Sequence, residues 1–498
     1  MKTKIKTIIL SVACVFPIII GTHVHGQSYT TSAQHTFHFF EDCDTSITRT
    51  YKDTTLVTCA NLSNPDYAYS ACFTIREALS PSAKILYIPH FYTPDSRTSY
   101  KVSDVRILDD ICYFCGTQTY TPYNNEEPFG KAPSPASSYK GFIGHFSIID
   151  ALSGSGSYYL EAFDEVSSFS KMAVTSKVDS SDVCILLIGN KAGNPDNTCL
   201  TSLSQPQGSS NQWKYYVTDT QINDEIFTDV IVTDDFWVTA SIFKENEDFI
   251  GLRGSKITNP GFYDETFNSS TAILSWLNIA NDLQINRHLE SPVLLCPMYN
   301  NQFNAGLSGS HTTPPGTYSL YDHTYIMRMD CINNTPSANN IYCDMYYLYR
   351  FDHLPKSIIK DLTYIPDIHS TAVLYDSPQT GGIHQNFLIR INWATPKYCD
   401  TIMYMDNGRL YSLDTYRGGS IAMGGLNNQH QISDIIQRAF LSINSCLKID
   451  NCKPIAPIDS SKPDYITKPF QWIIKPWYKN WQPYEFLSTD LETSYCTH

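Results

Sequence analysis

The chain has 498 residues, is 42 % hydrophobic and only 17 % charged, and carries a net charge of −14. That composition excludes a disordered chain. The acidic balance argues against a nucleic-acid binder, which needs a basic face to displace counterions from phosphates, and against a protein held on anionic lipid by charge. The length exceeds what one compact core supports, so several domains or a repeated architecture are expected.

Lys2, Lys4 and Lys6 form a positive start, Thr7 to Ile20 is apolar, and small Gly26 follows with Val24 two residues before it. This predicts a secretory signal peptide over residues 1–26, too short and wrongly flanked for a membrane anchor. Leu10-Ser11-Val12-Ala13-Cys14 is a weak alternative lipidation box, opposed by the apolar run that continues to Ile20. No later stretch is apolar for long enough to span a bilayer as a helix, so no transmembrane span is expected. The protein is therefore expected to be exported: periplasmic, at the cell surface or secreted.

Of the 15 cysteines, Cys14 leaves with the signal peptide, and the even remainder predicts disulfides in an exported chain. The preferred local pairs are Cys184–Cys199, Cys331–Cys343 and Cys446–Cys452. Cys112-x-x-Cys115 falls in Ile-Cys-Tyr-Phe-Cys-Gly, which reads as a strand. Residues three apart on a strand face opposite ways, so a redox or zinc role is disfavoured.

Most of the chain reads as short strands, runs rich in Tyr, Thr, Ile, Val and Phe broken by Gly, Pro, Asn, Asp and Ser. One unit recurs. Asp104-Val-Arg-Ile-Leu-Asp-Asp-Ile-Cys-Tyr-Phe matches Asp229-Val-Ile-Val-Thr-Asp-Asp-Phe-Trp-Val-Thr, with looser copies at Asp361-Leu-Thr-Tyr-Ile-Pro-Asp-Ile and Thr401-Ile-Met-Tyr-Met-Asp-Asn-Gly-Arg-Leu-Tyr. Each copy is a short strand, a polar turn and a returning strand. The expected turns are Asp109-Asp110, Asp234-Asp235, Pro366-Asp367 and Asp406-Asn407-Gly408. Further apolar runs at Ile85–Ile88, Val183–Ile188 and Val293–Cys296 bring the candidate centres to seven: 85, 105, 183, 230, 293, 362 and 402. Continuous apolar runs suit strands covered on both faces by neighbouring sheets. The expected fold is all-β, a β-propeller of six to eight blades with seven preferred, over residues 27–427.

The stretch at 104–116, Asp-Val-x-Ile-Leu-Asp-Asp-Ile-Cys-Tyr-Phe-Cys-Gly, followed by Gly141-Phe-Ile-Gly-His-Phe146, resembles the blade signature of uncharacterised exported β-propeller proteins from Bacteroidetes-type bacteria. The resemblance covers one blade well and the others by repetition. It implies a fold and no activity. Trp-Asp repeat ends, paired-Gly kelch repeats and the Ser-x-Asp-x-Gly-x-Thr-Trp box are missing, so no functional residue carries over.

Residues 428–498 are expected to pack on or close the propeller. Ile432, Ile435, Ile436, Ala439, Phe440 and Ile443 have helical spacing and predict an amphipathic helix. Beyond it, Phe470, Trp472, Trp477, Tyr478, Trp481, Tyr484 and Phe486 crowd the tail. Exposed, such rings stack on sugars or anchor an interface; buried, they close the fold. Trp472, Trp477, Tyr478 and Trp481 are the candidate ligand-binding residues.

Familiar catalytic patterns are missing. Gly306-Leu-Ser-Gly-Ser and Gly154-Ser-Gly do not form a nucleophile elbow, and there is no HExxH, Walker loop, dinucleotide fingerprint or EF-hand loop. The paired acids could serve glycoside hydrolysis only if two carboxylates faced each other, and turn formation accounts for them at less cost. No cofactor or metal is expected; a weak calcium candidate lies at Asn194-Pro195-Asp196-Asn197. His35 and His38 sit in a strand-like run, and His145, His288, His311, His323, His369 and His384 show no ligand spacing. The sequence thus points to an exported, non-catalytic binding protein whose partner is a glycan or an extracellular or envelope protein. Recognition would use loops such as 117–140 and 297–320. The alternatives are a polysaccharide hydrolase or lyase with carboxylates in a central channel, and a structural or assembly component of the cell envelope.

Overall fold

A computed structural model describes residues 32–37, most of 42–437, and six short stretches after residue 451. The longer omissions within 42–437 are 123–136, 177–182, 205–211, 218–224, 257–269, 276–285, 313–322, 334–340 and 352–357. The described chain is almost entirely antiparallel β-structure, arranged as seven sheets.

Strand β1 (Ser32–Phe37) belongs to the last sheet and is taken up there. Sheet I holds β2 (Cys43–Tyr51), β3 (Thr55–Leu62), β4 (Tyr69–Glu77) and β5 (Ser82–Pro89). Sheet II holds β6 (Phe91–Thr93), β7 (Ser96–Leu108), β8 (Ile111–Pro122), β9 (Ser138–Ser147) and β10 (Ser157–Phe163), with the single-turn helix α1 (Ile148–Ser153) before β10. Sheet III holds β11 (Val166–Ser176), β12 (Val183–Lys191), β13 (Asn194–Ser204) and β14 (Gln212–Val217). Sheet IV holds β15 (Glu225–Val232), β16 (Phe236–Phe243), β17 (Asn246–Lys256) and β18 (Ser270–Ser275). In sheet V, β19 (Asn286–Leu289) and β20 (Leu294–Pro297) share one edge of β21 (Gln302–Thr312), followed by β22 (His323–Asn333) and β23 (Ile341–Phe351). Sheet VI is β24 (Ile358–Ile365), β25 (Ser370–Pro378), β26 (His384–Asn392) and β27 (Cys399–Met405). Sheet VII is β28 (Arg409–Tyr416), β29 (Ser420–Leu426) and β30 (Ile432–Gln437), completed by β1.

The strands β2, β7, β11, β15, β20, β24 and β28 contact one another in that order, and β28 returns to β2. Packing the sheets in this cycle covers their central strands on both faces. β3 is buried at seven of its eight positions, β29 at all seven, and β12 from Cys184 to Gly189, which is why Val183–Ile188 reads as an apolar run without alternation. Separate hydrophobic clusters fill the gaps between sheets I and II, II and III, III and IV, V and VI, VI and VII, and VII and I. In the first gap Phe73 meets Phe114 and Phe146 at ring separations of 4.9 and 5.1 Å. Gly144 is required there, since a Cβ would sit 2.4 Å from the Phe114 ring.

The C-terminal segment runs backwards around this cycle. β31 (Cys452–Ile455) adds to the edge of sheet V, β32 (Asp464–Thr467) to IV, β33 (Trp477–Asn480) to III, β34 (Gln482–Glu485) to II, β35 (Leu487–Glu492) to I and β36 (Ser494–Thr497) to VII. Among the described residues sheet VI alone lacks this extra strand. Every added strand pairs antiparallel with a strand that would otherwise leave its backbone groups open at a sheet edge.

Several expectations need correction. Residues 432–437 are strand β30, paired with β29 and β1, and not the start of a helix. Ile432, Ile435 and Ile436 are all buried because β30 is covered on both faces, and a fully covered strand can place apolar residues at helical spacing by chance. Ala439, Phe440 and Ile443 lie outside the described residues. The turns at Asp109-Asp110, Asp234-Asp235 and Pro366-Asp367 do join paired strands, but Gly408 lies between β27 and β28, which belong to different sheets. The segment 297–320 is no free loop, since Gln302–Thr312 is strand β21.

The eight cysteines whose side chains are described form no disulfide with one another. Cys184 lies opposite Ser204 and Cys199 opposite Gly189, and the two thiols enter different inter-sheet cores, which excludes the expected bridge. Cys112 and Cys115 likewise face different cores, as their spacing on a strand requires. Cys331 and Cys343 are directly opposed in the β22–β23 register. Cys446 lies outside the described residues. The segment 1–26, with Cys14, also lies outside them.

Candidate functional site

The first strand of a sheet must be fastened to the first strand of the next. Four aspartates do this in the same way. Asp104 accepts hydrogen bonds from the Val105 amide at 2.9 Å and, across the gap, from the Met172 amide at 3.0 Å. Asp229 accepts from Val230 at 2.8 Å and from Leu295 at 2.7 Å. Asp361 accepts from Leu362 at 2.9 Å and from Leu413 at 2.8 Å. Asp414 accepts from Thr415 at 2.8 Å and from Thr50 at 2.7 Å. One oxygen takes the residue's own following amide and the other takes the neighbouring sheet. Bulges at Val102/Asp104, Phe227/Asp229 and Ile359/Asp361 turn these side chains off the regular ladder.

Arg49 ties the same region together from the cationic side. Its Nε donates to the Val105 carbonyl at 2.9 Å, and its Nη1 donates to the carbonyls of Leu413 at 3.0 Å and Thr48 at 3.2 Å. It also reaches Asp104 at 3.4 Å and Asp361 at 3.5 Å. Arg106 donates to the Met172 carbonyl at 2.9 Å and pairs with Asp104 at 3.2 Å.

Beside this network is a cavity of about 270 Å³, near the ends at which β2, β24 and β28 begin. Arg49, Lys101, Lys171 and Lys360 line it against only two carboxylates, Asp104 and Asp361. The remaining lining mixes hydroxyls with the apolar side chains of Ile47 and Val102. Three lining residues, Arg49, Lys171 and Ser412, immediately precede the amides that the aspartates hold, so the fastening of the sheets also fixes the cavity wall.

The charges set the titration behaviour. Burial pushes the Asp104 carboxyl up, but Arg106, Lys171 and Arg49 outweigh it and hold the group below the ordinary carboxylate range. Burial pushes Asp229 and Asp414 up, against the pull of Lys171 and Arg106 on the first and of Arg49 on the second. Burial works to lower Arg106, and Asp104, Asp229, Asp361 and Asp414 together hold it above its usual value.

At the opposite end, turns between first and second strands touch their neighbours. Asp110 accepts from Tyr51 and pairs with Lys52 at 2.8 Å, and Asp235 accepts from Asn301 at 2.8 Å. Asp234 accepts from the Asn300 amide at 3.0 Å. The acidic pairs of the repeat are therefore turn residues that stitch one sheet to the next.

The sequence-derived candidates lie elsewhere. Trp477 and Tyr478 are in β33, on the outer edge of sheet III, in register with Tyr215 and Lys214. Trp472 and Trp481 lie outside the described residues. Of the other tail aromatics, Tyr484 is partly buried, packed on Tyr158 at 5.4 Å and on Phe91 at 5.3 Å. His145 stacks on Tyr159 at 4.8 Å on the third strand of sheet II, whereas His369 is held by Tyr364 and Tyr299 at a turn of sheet VI, so these two do not converge. Asn194–Asn197 opens strand β13. Sequence reasoning passed over Asp104, Asp229 and Asp361, although each stands at the head of a repeat copy. Asp414, Arg49 and Lys171 carried no motif.

No protein-family model and no curated protein matches the chain. Among solved structures it is similar to the crystal structure of a GH43_12 protein retrieved from the capybara gut metagenome. That match has 7 % identity and a TM-score of 0.14, over 82 % of this chain and 99 % of the other. A likeness so faint carries no argument about fold or activity.

Proposed function

We propose that the chain is a seven-bladed β-propeller, exported from the cytoplasm, that binds a glycan without turning it over, and that the cavity among its innermost strands is the recognition surface. The observation that supports this reading most is the state of the central carboxylates. All eight oxygens of Asp104, Asp229, Asp361 and Asp414 accept a backbone N–H. A general acid or nucleophile of a glycosidase must be free to hand over a proton or attack a sugar carbon, and needs a partner across a substrate-sized gap. These groups are committed to joining sheets. The cavity beside them is lined by donors and hydroxyls, which suits holding a polar ligand.

Export rests on the basic and apolar start of the sequence, and the likeness to Bacteroidetes-type exported propellers on the repeat at 104–116. No helix among the described residues is long and apolar enough to cross a membrane. A glycan array followed by incubation of each bound polysaccharide with the protein tests the reading. Binding without new reducing ends supports it. Release of oligosaccharides overturns it in favour of a hydrolase or lyase. Failure of every glycan, with an envelope protein recovered by co-purification, overturns it in favour of a protein partner.

A further inference from the structure

We propose that the cavity recognises an acidic sugar, and that the Lys171 ammonium is the group that takes its carboxylate. This rests on the reading of the cavity as the glycan site and adds the class of sugar it selects.

The first argument is charge. The chain as a whole is acidic, at −14, yet four cations and two carboxylates line this cavity. Lys101 and Lys360 are paired with Asp44 and Asp376 outside that lining, so the cation on this wall without an ion pair among the described residues is Lys171, and that is where an anion would be drawn.

The second is what remains unused. Asp104 and Asp361 already accept two backbone amides each and an arginine besides. Arg49 spends its donors on three carbonyls and those two carboxylates, so it contributes a fixed charge and few free N–H groups. Lys101 pairs with Asp44 at 3.3 Å and Lys360 with Asp376 at 3.6 Å. Lys171 differs. It is half-buried, its field reaches Asp104 and Asp229, and among the described residues it makes no ion pair. An ammonium carries three donors and no acceptor, so an anion entering the cavity meets N–H groups that no ion pair has taken up.

The third is size and lining. A volume of about 270 Å³ lies just under the roughly 300 Å³ at which drug-sized pockets begin, which is room for about one sugar ring. Thr45 and Ser103 offer hydroxyls for ring oxygens, and Ile47 and Val102 offer an apolar surface. A lone inorganic oxyanion would use the cations and leave the rest of this wall idle.

The test compares the whole mature protein with its Lys171→Met and Lys171→Arg variants by calorimetry, using trigalacturonate, the neutral trigalactose and inorganic phosphate. Methionine keeps most of the aliphatic stem, and matching thermal midpoints confirm that the variants fold. Trigalacturonate is expected to bind at least tenfold more tightly than trigalactose, and its affinity to fall with salt. Lys171→Met is expected to erase that preference, and Lys171→Arg to keep most of it. Equal binding of acidic and neutral sugars, unchanged in Lys171→Met, overturns the acidic-sugar inference and leaves the glycan reading intact. Phosphate binding as tight as trigalacturonate reduces the site to a general oxyanion site and overturns the sugar assignment. Binding of neither sugar overturns the acidic-sugar inference, and the glycan array then decides the reading on which it rests.

Discussion

The seam between sheets VII and I depends on a buried ion pair, and removing one half of it should be costly. Asp434 on β30 accepts from Thr48 Oγ1 at 2.8 Å and Thr58 Oγ1 at 2.9 Å, and faces Arg76 on β4 at 3.5 Å. Both charged side chains are wholly buried, and Arg76 Nε and Nη1 have no hydrogen-bond partner. Burial lowers the Arg76 pKa, and Asp434 is what opposes that shift. Asp434→Ala would strand a guanidinium with no counter-charge, a loss of about 3–5 kcal/mol. At roughly 2–3 kcal/mol per molar urea that moves the unfolding midpoint down by about 1–2.5 M. The double variant Arg76→Met/Asp434→Leu should recover most of the loss, because two charges leave together and Thr48 and Thr58, 3.0 Å apart, can bond each other. Urea titrations of the wild type, both single variants and the double variant provide the measurement. A loss below about 1 kcal/mol in Asp434→Ala, or a double variant as weak as the sum of the singles, would refute the reasoning.

Three further outcomes are expected. Asp229→Ala leaves the Val230 and Leu295 amides without their acceptor and should cost about 2–4 kcal/mol, read from thermal unfolding, with faster hydrogen exchange at Leu295. Asp229→Asn should lose nearly as much, because its NH₂ must face one of the two amides. Deleting residues 451–498 uncovers six sheet edges, so the shortened protein should melt lower and self-associate in size-exclusion chromatography. Burial depresses His145 from 6.5 to about 4, so the unfolded chain binds the extra proton between those values. Stability is therefore full above pH 6.5 and falls toward pH 4, by up to about 3 kcal/mol from this group. His145→Phe should flatten that part of a urea-midpoint profile against pH.

The repeat announced three of the innermost strands and their turns, because each first strand ends in a polar hairpin at a fixed distance from its leading aspartate. It did not announce them all. Of the seven centres read from apolar runs, Ile85 lies on β5 and Thr401–Met405 on β27, both fourth strands of their sheets, and Val183 opens β12, a second strand. The innermost strands β2 and β28 escaped notice. Their sequences, CDTSITRTY and RLYSLDTY, alternate with polar residues because part of each faces the cavity and not a neighbouring sheet. Asp434 was hidden for a related reason. A carboxylate amid isoleucines reads as the polar side of a helix unless its partner, 358 residues away, is known. The reversed course of the tail has no local signature, since the edges it meets are set by the order of the sheets.

The aspartates that made catalysis a plausible reading also prepare the cavity to bind. When Asp104 holds the Met172 amide it fixes the backbone at Lys171, and when Asp414 holds the Thr50 amide it fixes the backbone at Arg49. Asp361, through Leu413, does the same for Ser412. A lysine on a mobile loop would lose conformational freedom when it met an anion, and much of the attraction would be offset. Lys171 stands on a strand fastened on both sides, so only its own side chain remains to be ordered. Saturating Asp104 with two amides and Arg106 also withdraws that carboxylate from competition for the ammonium. Four aspartates thus fasten four of the seven seams between sheets and leave Lys171 without an ion pair beside them, and both effects follow from a carboxylate whose two oxygens take amides on two different strands.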